Sequence, residues 1–200
     1  MQNALKDLKP ANVWKFFGEI MNIPRPSKHE EQITEYLCKF GADRGLETLR
    51  DELGNVLIRK PATKGYENAP MVCLQSHTDM VCEKNSDKVF DFLKDPIQPV
   101  LDGEWLTADG TTLGADDGIG VAAALAVIAD PTVQHGPIEC IFTVDEETGL
   151  TGAEKLDPKD FSGRILLNLD SEDEGEIFIG CAGGMDTIIK VYYRMEPAPR

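Results

Sequence analysis

Long apolar runs and paired cysteines are both missing from this 200-residue sequence. No segment approaches the ~18 consecutive apolar residues of a membrane-spanning helix. The first residues, MQNALKDLKPANVWKFF, lack a basic start followed by an apolar core, so they are not a signal peptide. The five cysteines are scattered and form no C-x-x-C pair, which argues against a disulfide framework or a zinc–thiolate site. These absences predict a reduced, cytoplasmic chain.

Positive charge is also scarce. The sequence has 20 lysines and arginines against 35 aspartates and glutamates, which gives a formal net charge of −15. Nucleic acid and anionic membrane surfaces both repel such a protein, so neither is expected as a partner. Most of the negative charge is expected on the solvated surface, and a cluster of carboxylates around cations would account for the remainder.

The remaining pattern alternates helices and strands, which predicts an α/β fold with helices on both faces of a sheet. Residues 11–23 and 27–45 have helical spacing, and the second stretch opens with Ser27 and Glu30 in the spacing of a capping box. An alanine-rich, nearly all-apolar stretch at 117–130 predicts a buried helix. Strands are expected at 46–51, 55–60, 71–77, 138–144 and 164–170, the last of them buried, and a short helix is expected at 149–157.

Charged residues gather where the predicted core strands end. LQSHTD, FTVDEE and LLNLDSE run from apolar residues into acids or a histidine, and LGADDG precedes the buried helix. Ligands of open α/β sheets bind beyond the carboxyl ends of the strands. Many carboxylates at one rim repel one another unless cations or protons neutralise them, and metal ions are the economical answer. The residues expected at this rim are His77, Asp79, Asp116, Asp117, Asp145, Glu146, Glu147 and Asp170.

Each of these residues also has an ordinary structural explanation. Asp117, just before a helix, is expected to be a cap that accepts backbone N–H bonds. The DEE run alone would be a solvated loop start, and His77 alone would be a hydrogen-bonded structural histidine. Coincidence explains any single motif, but it explains three converging strand ends poorly.

The residue types favour particular metals. One histidine with several carboxylates suits zinc, cobalt or manganese better than calcium or magnesium. In two-metal hydrolytic sites the ions lie ~3.5–4 Å apart and lower the pKa of a bound water molecule. Asp116, near a helix start, is placed to bridge two metals. The adjacent Glu146 and Glu147 permit one glutamate to bind metal while the other acts as a general base.

Five motifs together resemble one family. SHTDMV, GADDGIGVAAALA, VDEETGLTGA, NLDSEDEGE and GCAGG are similar to motifs of the aminoacyl-histidine dipeptidases, also called cytosolic non-specific dipeptidases. These enzymes belong to a superfamily of two-zinc exopeptidases and aminoacylases. The similarity runs from about residue 11 to the end, in the family's order. It implies a mixed, largely parallel central sheet and a metal-dependent dipeptidase that cleaves Xaa-His and other dipeptides.

The resemblance also implies a role for each site residue. His77 and Asp170 would bind the first of two divalent metal ions, for which zinc is expected and cobalt or manganese are alternatives. Asp116 would bridge both ions, and Glu147 would bind the second. The water molecule that attacks the peptide bond would lie between the two metals.

Two further residues would carry the chemistry. Asp79 would hold the imidazole of His77, and Glu146 would take a proton from the water and then protonate the leaving amine. Members of the family are longer, with an inserted lid domain and a final metal-binding histidine. The resemblance therefore implies that residues 1–185 are the first part of the catalytic domain and that 186–200 begin a lid and dimerisation domain. The full-length protein would be a homodimer, and the 200 residues alone would have little activity.

Three functions remain open at this point. The first is a metal-dependent dipeptidase, and the second is a related amidase or deacylase that uses the same metal residues. The third is a non-enzymatic module that binds only metal or a partner. Only GADDGIG and GCAGG are details that favour a dipeptidase over a deacylase.

Overall fold

The computed structural model describes residues 5–171, 173, 175–181, 183–185 and 187–195. These residues form a mixed α/β structure, as the sequence predicts, although five strands follow one another between α2 and α3. No helix there is both long enough and apolar enough to cross a bilayer. The elements are α1 (Ala11–Ile20), α2 (Glu31–Ala42), β1 (Glu47–Arg50), β2 (Val56–Lys60), β3 (Val72–His77), β4 (Pro99–Asp102), β5 (Trp105–Ala108), α3 (Ala115–Ala129), β6 (Ile138–Thr143), α4 (Thr151–Glu154), a 3₁₀ turn (Pro158–Asp160) and β7 (Ile165–Asn168).

Five strands form one sheet in the order β1-β2-β6-β3-β7. Strand β3 lies between β6 and β7 and is parallel to both, whereas β2 and β1 join antiparallel at the far edge. In this register His77 lies opposite Thr143, the last residue of β6. The mixed sheet with a parallel group of strands is therefore confirmed. It brings the carboxyl ends of β3, β6 and β7 to one edge.

The two faces of the sheet are covered unequally, one by three helices and the other mainly by the segment after α4. Helices α1, α2 and α3 pack on one face, where α3 is buried because alanine and glycine let it lie close to α1 and β3. The other face has a smaller cluster around Cys73 and Ile141, which Leu156 and Phe161 cover from the segment after α4. The large core on the first face fixes β3 and α3, the two elements that deliver most of the candidate site.

A buried carboxylate, Glu139, anchors the thinner face. Its side chain is fully buried, and Oε1 accepts a hydrogen bond from Arg59 Nε at 3.0 Å. Oε2 accepts bonds from the backbone N–H groups of Gly163 (2.9 Å) and Ser162 (3.1 Å), and from Cys73 Sγ at 3.2 Å. Burial would raise the pKa of Glu139, but these donors hold it below its ordinary value. The carboxylate thereby fixes the connection that leads into β7.

The predicted capping box at the start of α2 is wrong. Glu30 precedes the helix, but its side chain makes no cap bond. Instead Glu30 Oε1 accepts bonds from the backbone N–H groups of Lys28 (3.0 Å) and Asp145 (2.9 Å). Ser27 Oγ donates to Asp79 Oδ2 at 2.7 Å. Both side chains have tertiary partners, which replace the local bonds that the spacing predicts.

The end of the chain also differs from the expectation. Strand β7 forms where it is predicted but is not buried: Ile165, Leu166 and Leu167 are 44%, 61% and 47% exposed. The reason is its place at the edge of the sheet, where β3 is its paired neighbour. The stretch EIFIG at 176–180 predicts a further strand, but none of the described residues after Asn168 lies in a helix or strand, so this prediction is wrong. The predicted domain boundary before Asp186 stays a prediction, since Asp186 and residues 196–200 lie outside the described residues.

The hairpin of β4 and β5 was missed by the sequence interpretation. Asp102 pairs with Trp105 across a turn that contains Gly103, whose φ of 60° favours glycine. An Asp-Gly pair between alternating residues is a known hairpin signal, so the sequence did contain the information.

Candidate active site

The site lies at the edge where the parallel strands end. His77 is the last residue of β3, and Asp145 to Glu147 follow β6. The backbone N–H of Thr78 donates to the carbonyl of Thr143 at 2.8 Å, which keeps the two strand ends together. Asp170 follows β7, and Asp116 lies at the start of α3, where its backbone angles are not helical.

His77 is the centre of the site. Its side chain is 1% exposed, and Nε2 lies 2.7 Å from Asp116 Oδ1 and 3.9 Å from Asp170 Oδ2. Potential ligand atoms of these three residues all lie within 4.8 Å of one another. The sequence-based prediction that His77, Asp116 and Asp170 converge is confirmed in this geometric sense.

Asp79 lies behind the imidazole and is fully buried. Oδ2 accepts bonds from Ser27 Oγ (2.7 Å) and the backbone N–H of Glu147 (3.2 Å), and Oδ1 accepts one from the N–H of Glu146 (3.0 Å). His77 Nδ1 lies 3.3 Å from Asp79 Oδ1, but without the alignment of a hydrogen bond. Burial would raise the pKa of Asp79; these contacts outweigh it and hold the pKa at about 2. A fixed negative charge therefore faces the imidazole.

The two glutamates after β6 face the same imidazole. Glu146 and Glu147 are half-buried, and each has a carboxylate oxygen within 4.8 Å of a His77 ring nitrogen. Burial raises the pKa of both carboxyls, and acidic neighbours raise it further: Asp170 for Glu146 and Asp116 for Glu147. A carboxyl with a raised pKa exchanges protons more readily near neutral pH.

The electrostatics of the site favour a cation. Burial would lower the pKa of His77, yet Asp79 and Asp116 outweigh it and raise that pKa to about 9. Burial also raises the pKa of the neighbouring Asp117 to about 7. The raised pKa of His77 indicates that Asp79 and Asp116 favour positive charge at this position. One imidazole nitrogen among several carboxylate oxygens is a donor set that divalent transition metals accept.

Two of the predicted rim residues have other partners. Asp117 Oδ1 accepts a bond from the N–H of Gly120 at 3.1 Å, so its predicted capping role is confirmed, and Oδ2 accepts one from the N–H of His77 at 3.2 Å. Asp145 Oδ1 accepts a bond from Thr148 Oγ1. The carboxylate of Asp145 lies within 4.8 Å of those of Glu30 and Asp79, behind the site rather than with Asp116 and Asp170.

Sequence reasoning missed three residues that support the site. Ser27 binds the Asp79 carboxylate, Glu30 binds the N–H of Asp145, and Arg25 contacts the backbone beside Asp79. For Arg25 and Ser27 the only sequence signal is the charged and hydroxyl-bearing RPS segment in a proline-rich break between helices, and it does not indicate their partners.

Comparison with known sequences places the chain. Residues 73–185 match the peptidase family M20/M25/M40. The chain belongs to this family. Membership implies divalent metal ions, and the donor set around His77 fits them.

Two further comparisons make the relation more specific. The chain is 52% identical over 197 residues to a cytosol non-specific dipeptidase of Escherichia coli (strain K12), a match that covers 98% of this chain and 41% of the relative. The crystal structure of an aminoacylhistidine dipeptidase from Vibrio alginolyticus matches with a TM-score of 0.84 and 54% identity, covering 86% of this chain and 35% of that one. The resemblance drawn from the five motifs is confirmed.

A less similar structure shares the fold. An aminopeptidase PepT from Bacillus cereus ATCC 10987 matches with a TM-score of 0.68 and 29% identity, covering 81% of this chain and 43% of that one. In all three comparisons this chain spans less than half the length of the protein that it matches.

Proposed function

We propose that the protein is a metal-dependent dipeptidase that hydrolyses the peptide bond of Xaa-His and other dipeptides. The observation that carries the proposal is the arrangement around His77. Nε2 faces the carboxylates of Asp116 and Asp170, Nδ1 faces Asp79, and Glu146 and Glu147 lie alongside. The similarity to relatives named as dipeptidases supports the choice of substrate class.

We assign the metal ligands as the resemblance implies. His77 and Asp170 would hold a first ion, Glu147 would hold a second, and Asp116 would contribute to both. Two Zn²⁺ ions are expected, with Co²⁺ or Mn²⁺ as alternatives. When bound, the ions supply Lewis acidity and lower the pKa of a water molecule.

The chain's own groups then do the remaining work. Asp79 accepts the backbone N–H groups of Glu146 and Glu147, so one buried carboxylate holds both glutamates and faces His77. Because Nδ1 of His77 faces Asp79, the other ring nitrogen, Nε2, is the one left for metal. Glu146 takes a proton from the attacking water and delivers it to the nitrogen of the leaving amine. Its raised pKa suits both transfers.

The wider setting is proposed on the same basis. The protein would act in the cytoplasm on dipeptides, as a homodimer, with no nucleic acid or membrane partner. Residues 1–185 would form the first part of the catalytic domain and 186–200 the start of a lid and dimerisation domain.

The test uses the protein expressed from its complete reading frame. It is stripped of metal with a chelator and titrated with Zn²⁺, Co²⁺ and Mn²⁺, and hydrolysis of β-alanyl-histidine and of an N-acyl amino acid is followed. Two ions per chain and cleavage of the dipeptide alone are expected. Cleavage of only the acyl substrate would instead identify a deacylase, and metal binding without either activity would refute the enzymatic proposal.

A further inference from the structure

Arg25 is a buried arginine that the proposed chemistry does not use. It lies between α1 and α2 and is 2% exposed. Nη1 donates to the carbonyl oxygens of Thr78 and Asp79, both at 2.9 Å, and Nη2 donates to the carbonyl of Gly114. These carbonyls belong to two different loops. One follows β3 and carries Asp79, and the other precedes Asp116.

The chemistry of the group suits it to link the two loops. The guanidinium group is planar and rigid, so its N–H donors point in fixed directions. When they bind carbonyl oxygens of two loops, they also set the distance between those loops. Burial lowers the pKa of Arg25 to about 10, with Asp79 and Asp117 opposing that shift, so the group stays charged at neutral pH. Burying this charge is costly unless its donors are paired, and here they bind carbonyl oxygens.

The space around the guanidinium is provided by two glycines. A Cβ at Gly114 would lie 2.5 Å from Arg25 Nη2, and one at Gly118 would lie 2.6 Å from the same atom. Such separations are far inside van der Waals contact, so any side chain there would displace the guanidinium. This steric fit is an observation separate from the hydrogen bonds.

The backbone next to the guanidinium is attached to the same loop. The N–H of Met80 donates to the carbonyl of Arg25 at 3.2 Å, and Pro26 forms an isolated parallel bridge with Met80. Ser27 adds its bond to the Asp79 carboxylate. The segment from Arg25 to Ser27 is therefore joined to the loop after β3 through both backbone and side chains, and only the guanidinium extends to Gly114.

We propose that Arg25 is a positioning residue that holds the loop after β3 against the loop before α3, so that His77, Asp79 and Asp116 keep the separations on which metal binding depends. Its effect on metal affinity and turnover rests on the proposed function. Its effect on the two loops does not, and that effect can be measured without metal.

The test compares Arg25→Met and Arg25→Lys with Arg44→Met in the protein expressed from its complete reading frame. Arg44 is the control, because its Nη1 also donates to a backbone carbonyl, that of Phe40 at 2.9 Å, but from an exposed position after α2. Arg25→Met should weaken Zn²⁺ affinity about 10- to 100-fold. It should lower kcat about 100-fold, with KM changed by less than about threefold. Arg25→Lys should lose less metal affinity and less kcat than Arg25→Met, because its ammonium group still donates hydrogen bonds but lacks the rigid, forked geometry of a guanidinium.

Hydrogen exchange of the metal-free proteins gives the independent readout. Amide exchange in residues 78–80 and 112–116 should accelerate in Arg25→Met but not in Arg44→Met. If the wild-type protein binds no metal, the proposed function fails, while this exchange result still decides the role of Arg25.

A second variant covers the case in which Arg25→Met does not fold. Gly118→Ala keeps the arginine and adds a favourable helix residue, so the helix itself should tolerate it. It should nevertheless reproduce the exchange and metal-affinity changes, because the new methyl group displaces Nη2. The proposal would be overturned if Gly118→Ala and the Arg25 variants that fold kept the amide exchange rates and metal affinity of the wild type. It would also be overturned if the only change in these variants were a lower thermal unfolding midpoint.

Discussion

Asp79 and Glu139 are two fully buried carboxylates in different regions of the molecule, and they are bound in almost the same way. Each accepts two backbone N–H bonds from a nearby loop and one bond from a hydroxyl or thiol, and each faces a side chain that can carry positive charge. The donors are Ser27, Glu146 and Glu147, with His77 alongside, for Asp79, and Arg59, Cys73, Ser162 and Gly163 for Glu139.

The difference lies in what the positive partner does next. Arg59 also donates to Glu47, at 2.6 Å, and to the carbonyl of Asp160, so its charge is paired within the structure. His77 has a second nitrogen that faces Asp116 and Asp170. A buried, well-bonded carboxylate is therefore no sign of function by itself. What separates the two regions is that His77 has a second ring nitrogen able to bind a metal, and this nitrogen faces Asp116 and Asp170, whereas the guanidinium of Arg59 has only donors.

The largest expected effect is at the loop that Asp79 holds. Glu146→Gln should lower kcat by about 10²- to 10⁴-fold while both metals stay bound, because proton transfer is lost and no ligand is. Glu147→Gln should instead lower metal occupancy at the second site. Metal analysis with dipeptide hydrolysis checks both. Reversed phenotypes would show that the two roles are assigned the wrong way round.

The next largest effect is expected when each of the two carboxylates is replaced by an amide. Asp79→Asn should weaken metal affinity about 10- to 100-fold, because the imidazole loses the charge that orients it. Glu139→Gln should leave metal affinity unchanged and cost about 1–3 kcal/mol of unfolding free energy, because buried donors lose their charged acceptor. Chemical denaturation and metal titration of both variants make the comparison. Equal losses of metal affinity would remove the distinction between the two regions.

Acid should separate Glu139 from its amide variant. The folded-state pKa of Glu139 is lowered, so its contribution to stability is complete above the unfolded pKa of about 4.3 and is lost as pH falls through the folded pKa. The difference in unfolding free energy between wild type and Glu139→Gln should therefore be constant from pH 7 to about 5 and shrink below that. Denaturant titrations across this range check it, and a difference that grows in acid would contradict it.

The smallest effect concerns the single hydroxyl and thiol donors. Ser27→Ala removes a hydrogen bond to Asp79 and should cost about 1 kcal/mol of stability together with a few-fold loss of metal affinity. Cys73→Ala removes the weaker thiol donor to Glu139 and should change stability by a similar or smaller amount, with metal affinity unchanged. Metal affinity is the decisive measurement, and a parallel loss in both variants would contradict the comparison.

The sequence predicts best those parts of the fold that are covered by apolar neighbours on all sides. The runs in β3 and β6 are apolar because both faces of these strands are covered, and the apolar α3 is buried for the same reason. Strand β7 is just as apolar, yet it lies at the edge and is exposed. Composition alone does not distinguish a central strand from an edge strand.

The candidate site is likewise predictable only in part. His77, Asp116 and Asp170 could be predicted to meet because parallel strands deliver their carboxyl ends to one edge. Their roles as ligands stay predictions. The spacing of Ser27 and Glu30 predicts a local cap, because spacing along the chain describes only local partners. Their actual partners, Asp79 and Asp145, are distant in sequence.

The order of the strands also bears on how the protein folds. Strands β1 and β2 are neighbours in sequence and can pair early, whereas β3 pairs with β6 across residues 78–137 and with β7 across residues 78–164. Contacts that close such long loops form slowly, because the entropy of closure is lost before the contacts compensate for it. His77 approaches Asp170 only when the second of these pairings is complete. An intermediate in which β7 has not yet joined the sheet therefore lacks the assembled centre, and a metal ion can stabilise only the later stages of folding.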